Sequence, residues 1–217
     1  MAAMFICIAL TSSSVAGTYT NQIPVGLDDL LHRVETATIP VQKEYSMTVH
    51  QTVMQIQAAA STAFLVGQQQ PIEEEEFSAT CSTSGSVRAV KGLSAKRISQ
   101  RMNNSSSNGL HLILTFNPVA ALRHLAALKS STISADVYDG VPCTKVSGTD
   151  KGFGFVLYVS KSDSTIRRQI ILKATDTLFD SSFIYTNHSG LYAPLHVTTT
   201  KPANGIQIIQ DFSCHTL

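Results

Sequence analysis

Val137-Tyr-Asp-Gly-Val-Pro-Cys-Thr-Lys-Val-Ser-Gly148 opens a series of turn-punctuated segments that runs without interruption to Phe212. Residues 136–141, 143–148, 153–160, 166–174, 182–187, 193–201 and 206–212 read as β-strands, separated by short links rich in Gly, Ser, Asp and Asn. Links that short force consecutive strands to lie antiparallel. Gly152-Phe-Gly154 fits a hairpin turn within this meander.

Immediately before the meander, Asn117 can cap a helix with Pro118 at its first position. The helix spans 119–128 and turns Val119, Leu122, Leu125 and Ala126 inward. An earlier helix has Leu27, Leu30, Leu31 and Val34 on one stripe, with Asp28 and Asp29 at its positive end and Pro40 as its stop. From Glu44 the period changes to two, with Tyr45, Met47, Val49, Gln51 and Val53 sharing one side of a strand. Residues 63–66, 75–82, 86–91 and 95–102 are further strand candidates, 103–109 a polar loop, and Leu110, Leu112, Leu114 and Phe116 one face of another strand. The acidic run Glu73 to Glu76 suits a solvated loop or strand edge. Helices have to bury their stripes against the apolar side of the sheet, so the expected class is α+β: a curved antiparallel sheet covered by helices. An all-β sandwich is the second choice.

The 217 residues, 43% of them hydrophobic, are enough for one sizeable core in one compact domain. Sixteen basic and fifteen acidic side chains give a net charge of +1, which offers no global field for nucleic acid or an anionic membrane. Residues 1–17, with an apolar run from Ala2 to Leu10 and Ser14-Val-Ala16 after it, are expected to be an export signal, leaving a single domain at 18–217. The run is far shorter than the roughly 20 residues of a membrane span. Cys81, Cys143 and Cys214 would remain after cleavage. In an oxidising space Cys143 and Cys214 are the expected disulfide, with three buried thiols as the competing reading.

Catalytic signatures are missing from the sequence. It contains no Gly-x-Ser-x-Gly elbow, no phosphate loop and no Cys-x-x-Cys pair, and the seven histidines have no metal-ligand spacing. Neither enzyme activity, a metal nor a cofactor is expected. Arg167-Arg168 and Lys96-Arg97 should each send one side chain to either face of a strand, and an inward arginine could meet a headgroup or a carboxylate. Asn103, Asn104 and Asn187 begin Asn-x-Ser triplets, relevant only in a eukaryotic secretory route.

Leu27-Asp-Asp-Leu-Leu-His-Arg-Val34 followed by a strand ending His50-Gln-Thr-Val53 resembles the start of outer-membrane lipoprotein carriers of the LolA type. Tyr138 to Thr149, Leu157 to Lys161, Ile166 to Ile170 and Ser189 to His196 are similar, in order, to the lipoprotein-sorting branch of that family. The resemblance covers roughly residues 25–212. It lacks tryptophan and the early Arg-Pro segment, with Ala89 to Arg97 standing where that would be, so no latching arginine is transferred. The resemblance implies an open half-barrel with helices over its concave face, shielding lipoprotein or lipid acyl chains in the periplasm. It further implies membrane-bound donor and acceptor proteins as partners of a monomeric carrier that is periplasmic or secreted. Met47, Val49, Ile166, Ile170 and Leu172, with Leu122 and Leu125 from the second helix, are the residues expected to line the hollow. A filled core would use the same positions. The alternative function is a sensor or regulatory interaction module on the same scaffold.

Overall fold

The protein is described by a computed structural model over residues 26–38, 45–56, 71–81, 87–91, 117–128, 130–188 and 191–216. The expected export signal, the strands at 63–66, 95–102 and 110–116, and the loop at 103–109 lie outside the described residues. Among the described residues, two α-helices, α1 (Leu27–Ala37) and α2 (Pro118–Ala127), accompany ten strands. The strands are β1 (Tyr45–Gln55), β2 (Pro71–Cys81), β3 (Val87–Lys91), β4 (Thr132–Tyr138), β5 (Val141–Asp150), β6 (Phe153–Ser160), β7 (Ile166–Lys173), β8 (Asp176–His188), β9 (Leu191–Lys201) and β10 (Ile206–Thr216). They form one antiparallel sheet in the order β3-β2-β1-β10-β9-β8-β7-β6-β5-β4. Among the described strands, only the β1–β10 pair joins distant parts of the chain; every other pair is consecutive in sequence. The sheet is an open half-barrel, and the helices cover its concave face.

Turn chemistry explains most of this meander. Asp139 and Gly140, at φ 51° and 73°, connect β4 to β5, and Lys151 and Gly152, at 49° and 81°, connect β5 to β6. Two successive positive φ values define the tight hairpin whose twist matches that of its strands. The expected strand at 136–141 therefore has its turn inside it, and β4 begins at Thr132 instead. The strand expected from residue 182 begins at Asp176, because the Ala174-Thr175 link is enough to reverse the chain. Glu73 to Glu76 lie within β2, where alternation leaves Glu74 and Glu76 exposed and turns Glu75 inward. The anticipated disulfide is not formed: Cys143 on β5 and Cys214 on β10 lie five strand places apart.

Both helices follow from their apolar stripes. Leu30 and Val34 of α1 are buried, and Leu27 and Leu31 pack beside them. Thr38 ends α1 by donating its hydroxyl to the Val34 carbonyl at 2.7 Å, and it bridges Tyr192 on β9. In α2, Val119, Ala121, Leu122 and Leu125 are buried, and the helix lies over β5, β6 and β7. It can approach closely because β5 has glycine beneath it. A Cβ on Gly148 would stand 2.8 Å from Leu125 Cδ2 and 3.0 Å from Ser131 Oγ. Gly148→Ala should therefore lift α2 and destabilise the fold by about 1–3 kcal/mol, as overpacking does. Urea unfolding that showed no loss would count against this seat.

Candidate functional site

The concave face is built by rows of side chains that cross the sheet in register. One row contains Phe212, Val49 and Phe77, and the next contains Cys214, Met47 and Ala79. Across the meander, Val146, Leu157, Val159, Phe155 and Ile171 form an apolar bed under α2. Leu122 and Leu125 are fully buried against it. These groups belong to one cluster that also includes Leu30 and Val34 of α1.

A polar seam interrupts this apolar surface. Gln169 on β7, Ser181 on β8 and Thr199 on β9 are register partners, and all three are buried. On the next row, Gln210 on β10 is paired with Gln51 on β1, which is paired with Glu75 on β2. Gln210 Nε2 donates to Gln51 Oε1 at 2.9 Å, and the hydroxyls of Ser181 and Thr199 share a hydrogen bond of 2.9 Å. Gln169 Oε1 and Gln210 Oε1 are buried without a hydrogen-bond partner. Burying an amide without a partner costs about 1–3 kcal/mol, so these acceptors are an expensive feature for a floor whose only task is packing. Alternation in β1 put Gln51 beside Met47 and Val49; nothing in the sequence singled out Gln169, Ser181, Thr199 or Gln210. Their signal is weak, since a polar residue in an alternating strand reads as outward-facing.

Polar contacts fasten the rim. Arg123 on α2 donates to Glu35 on α1 at 2.6 Å, joining the two helices. His124 on α2 stands 3.3 Å from Asp150 at the end of β5 and meets the ring of Phe155 edge-on. Ser131, just beyond the helix, donates its hydroxyl to the Leu125 carbonyl at 2.6 Å. At the β6–β7 turn, Asp163 accepts from the Thr165 hydroxyl at 2.7 Å and pairs with Arg167. Burial alone would raise the Asp163 carboxyl. The hydrogen bonds from Thr165 and Ser160, together with the Arg167 charge, outweigh that and hold it below the usual range.

The convex face has a different chemistry. Arg168 reaches Asp180 through Nε at 2.8 Å and lies 5.2 Å from the ring of Tyr138 and 5.8 Å from that of Tyr158. The Arg167-Arg168 pair thus divides between the faces as alternation requires, and the inward arginine meets a carboxylate of its own chain. Further along the convex face His196 contacts Asp211 at 2.7 Å. A hollow of about 240 Å³ also opens there, among Thr132, Ser147, Gly154, Val156 and Leu172.

Of the seven residues expected to line a ligand hollow, Met47, Val49, Leu122, Leu125 and Ile166 meet in the helix-covered cluster. Ile166 arrives there because the register shifts between Tyr158 and Val159, which brings it opposite Val159. Ile170 and Leu172 take the parity of Arg168 and are half-buried on the convex face, Leu172 at the 240 Å³ hollow. No group of three or more His, Cys, Asp and Glu side chains among the described residues is arranged to hold a metal. Burial raises the pKa of the Cys143 thiol, which keeps it protonated.

Comparison with known proteins places this architecture. No protein-family model and no curated protein sequence matches the chain. Among solved structures, a domain described as an outer membrane lipoprotein-sorting protein from Vibrio parahaemolyticus superposes with a TM-score of 0.54 at 9% identity, over 88% of this chain and 92% of that one. A DUF1329 family protein from Desulfovibrio piger superposes with a TM-score of 0.53 at 13% identity, over 88% of this chain and 91% of its own. The fold is LolA-like. At such identities the likeness concerns the path of the chain, and the polar seam has to be interpreted from this chain's own residues.

Two outcomes follow. Gln210→Leu should cost about 1–3 kcal/mol by leaving Gln51 without its donor, whereas Gln51→Leu with Gln210→Leu should recover at least half of that loss. Urea midpoints of the three variants measure the cycle. Asp163→Asn should be less stable than the parent at neutral pH. Because the native carboxyl lies below its ordinary value of about 3.9, the stabilisation is present above that value and disappears as pH falls through the lower native one. The two proteins should therefore converge in acid, and a constant gap from pH 7 to pH 2 would refute the assignment.

Proposed function

We propose that this protein is a non-enzymatic carrier of the bacterial envelope that holds an acyl chain or another apolar ligand between its helices and the concave face of its sheet. The observation that carries this reading is the way α1 and α2 are attached. They contribute Leu30, Val34, Leu122 and Leu125 to a continuous apolar cluster, while the Glu35–Arg123 and His124–Asp150 contacts lie at its partly exposed rim. A cover held by burial and a few rim contacts can be exchanged for a ligand of similar apolarity. Each buried methylene of an acyl chain is worth about 0.8 kcal/mol, so a chain of ordinary lipid length offsets the displaced helix contacts. The LolA-like fold supports the same reading, and lipoprotein acyl chains are the ligands it favours, with membrane-bound donor and acceptor proteins as partners in the periplasm. Among the described residues, no helix is long and apolar enough to cross a membrane.

A second reading, a sensor or regulatory interaction module, draws on a different observation. The concave face is filled by its own side chains, and Ile184 and Leu195 are exposed beside one another at the register shift between β8 and β9. An exposed apolar pair of this kind suits contact with another protein.

Native mass spectrometry of the purified protein, followed by organic extraction and displacement of a fluorescent fatty-acyl probe, separates the two. The carrier reading expects stoichiometric, displaceable lipid. It also expects Arg123→Ala to speed probe uptake by up to about fivefold, the factor matching about 1 kcal/mol for a partly exposed ion pair. Folded protein with no lipid and no probe binding would shift the assignment to the interaction module.

A further inference from the structure

We infer that the seam formed by Gln169, Ser181, Thr199 and Gln210 is a recognition strip for an uncharged hydrogen-bonding head, so that the ligand is an amphiphile carrying a carboxamide or a hydroxyl rather than a free fatty acid. This rests on the carrier reading and adds the chemistry of the head to that of the tail. Gln169 and Gln210 are at least 99% buried, and each keeps an amide oxygen without a partner. Both belong to the inward-facing rows, because their register partners Ser181, Val197 and Gln51 are buried as well. Gln169 sits next to Leu157 on β6, a strand under α2, so movement of that helix would open the floor beside it.

The character of the seam selects the head. Its open groups are amide oxygens, which need donors, and Ser181 and Thr199 beside them are neutral hydroxyls. Glu75, the register partner of Gln51, is an inward-facing carboxylate two strands from Gln210 on the same row. Arg167, two residues before Gln169 and on the same face, has its charge matched by Asp163 although its Nε is buried without a partner, and Lys201 lies over the ring of Phe179 at 5.1 Å. A ligand carboxylate on the seam would therefore be desolvated beside a guanidinium whose charge Asp163 already balances, and would add a buried charge with no cation of its own. An amide N–H or a hydroxyl would instead satisfy an acceptor that the closed state leaves open.

The test is displacement of a neutral alkyl fluorescent probe from the folded full-length domain at pH 8 by ligands of equal chain length that end in carboxamide, hydroxyl or carboxylate. The amide and the alcohol should displace the probe at concentrations at least tenfold below the carboxylate. Gln169→Leu and, separately, Gln210→Leu should reduce that preference, read as the ratio of displacing concentrations within each variant, to less than threefold. Gln169→Met provides the same readout in case the leucine variant does not fold. Probe binding with equal or tighter binding of the carboxylate would overturn the inference and leave the carrier reading standing. Failure of the probe and of every ligand to bind would remove the carrier reading, and the seam inference with it.

Discussion

The packing of Leu125 against Gly148 is the contact on which the rest of the architecture depends. An antiparallel sheet of ten strands that does not close has one face it cannot leave in water, and α2 covers the part of that face belonging to β5, β6 and β7. Glycine at that point lets the helix descend far enough for Leu122 and Leu125 to reach Val146 and Leu157. The Glu35–Arg123 contact then ties α2 to α1, and Thr38, which follows the last residue of α1, is bridged to Tyr192 on β9. A local choice of the smallest residue thereby fixes the height of the whole cover. Since partly exposed ion pairs contribute little, the attachment is mostly apolar and its strength follows the area of contact rather than the rim charges.

Much of this was legible in the residues because each strong signal had one physical meaning. The stripe Leu27, Leu30, Leu31 and Val34 can only be an amphipathic helix, and Asn117-Pro118 can only begin one; both helices stand within a residue or so of where these signals put them. Strand β6 occupies the span that its alternation gives. What escaped was set by non-local geometry. The register shift beside Val159 turns Ile166 into the core, while Ile170 and Leu172 keep the parity of Arg168 and point away from it. An extra residue in one strand of a pair re-aims the side chains on either side of it, and no periodicity within a single strand reports that. The Asp139-Gly140 turn was visible as composition, yet it was absorbed into a strand because apolar residues stand on both sides of it.

The two faces of the sheet also solve different problems. On the convex side, charges are satisfied laterally along the strands' own neighbours: Arg168 with Asp180 and the tyrosine rings, His196 with Asp211. That network leaves the outer surface wet, and the strands need no second layer there. The concave side instead relies on apolar packing, and its polar groups are confined to register partners that can bond to one another. Ser181 with Thr199 and Gln51 with Gln210 follow that rule. Gln169 departs from it, and so in part does Gln210: each has a buried amide oxygen without a partner and an apolar register partner on one side.

On the carrier reading, that departure bears on how the helices would release a ligand. If the floor were uniformly apolar, every methylene would find an equivalent place along it, and a tail could slide without a defined register. Amide oxygens at fixed points on β7 and β10 break that equivalence, because a donor on the ligand gains most at one position. In such a carrier the closed state would bear the cost of leaving these oxygens unpaired, which would narrow the gap between closed and loaded forms. Affinity would come from the tail and registration from the head. A carrier organised this way can load and unload by small displacements of α2, since the free-energy difference to be overcome is the difference between two nearly balanced burials rather than the whole of either.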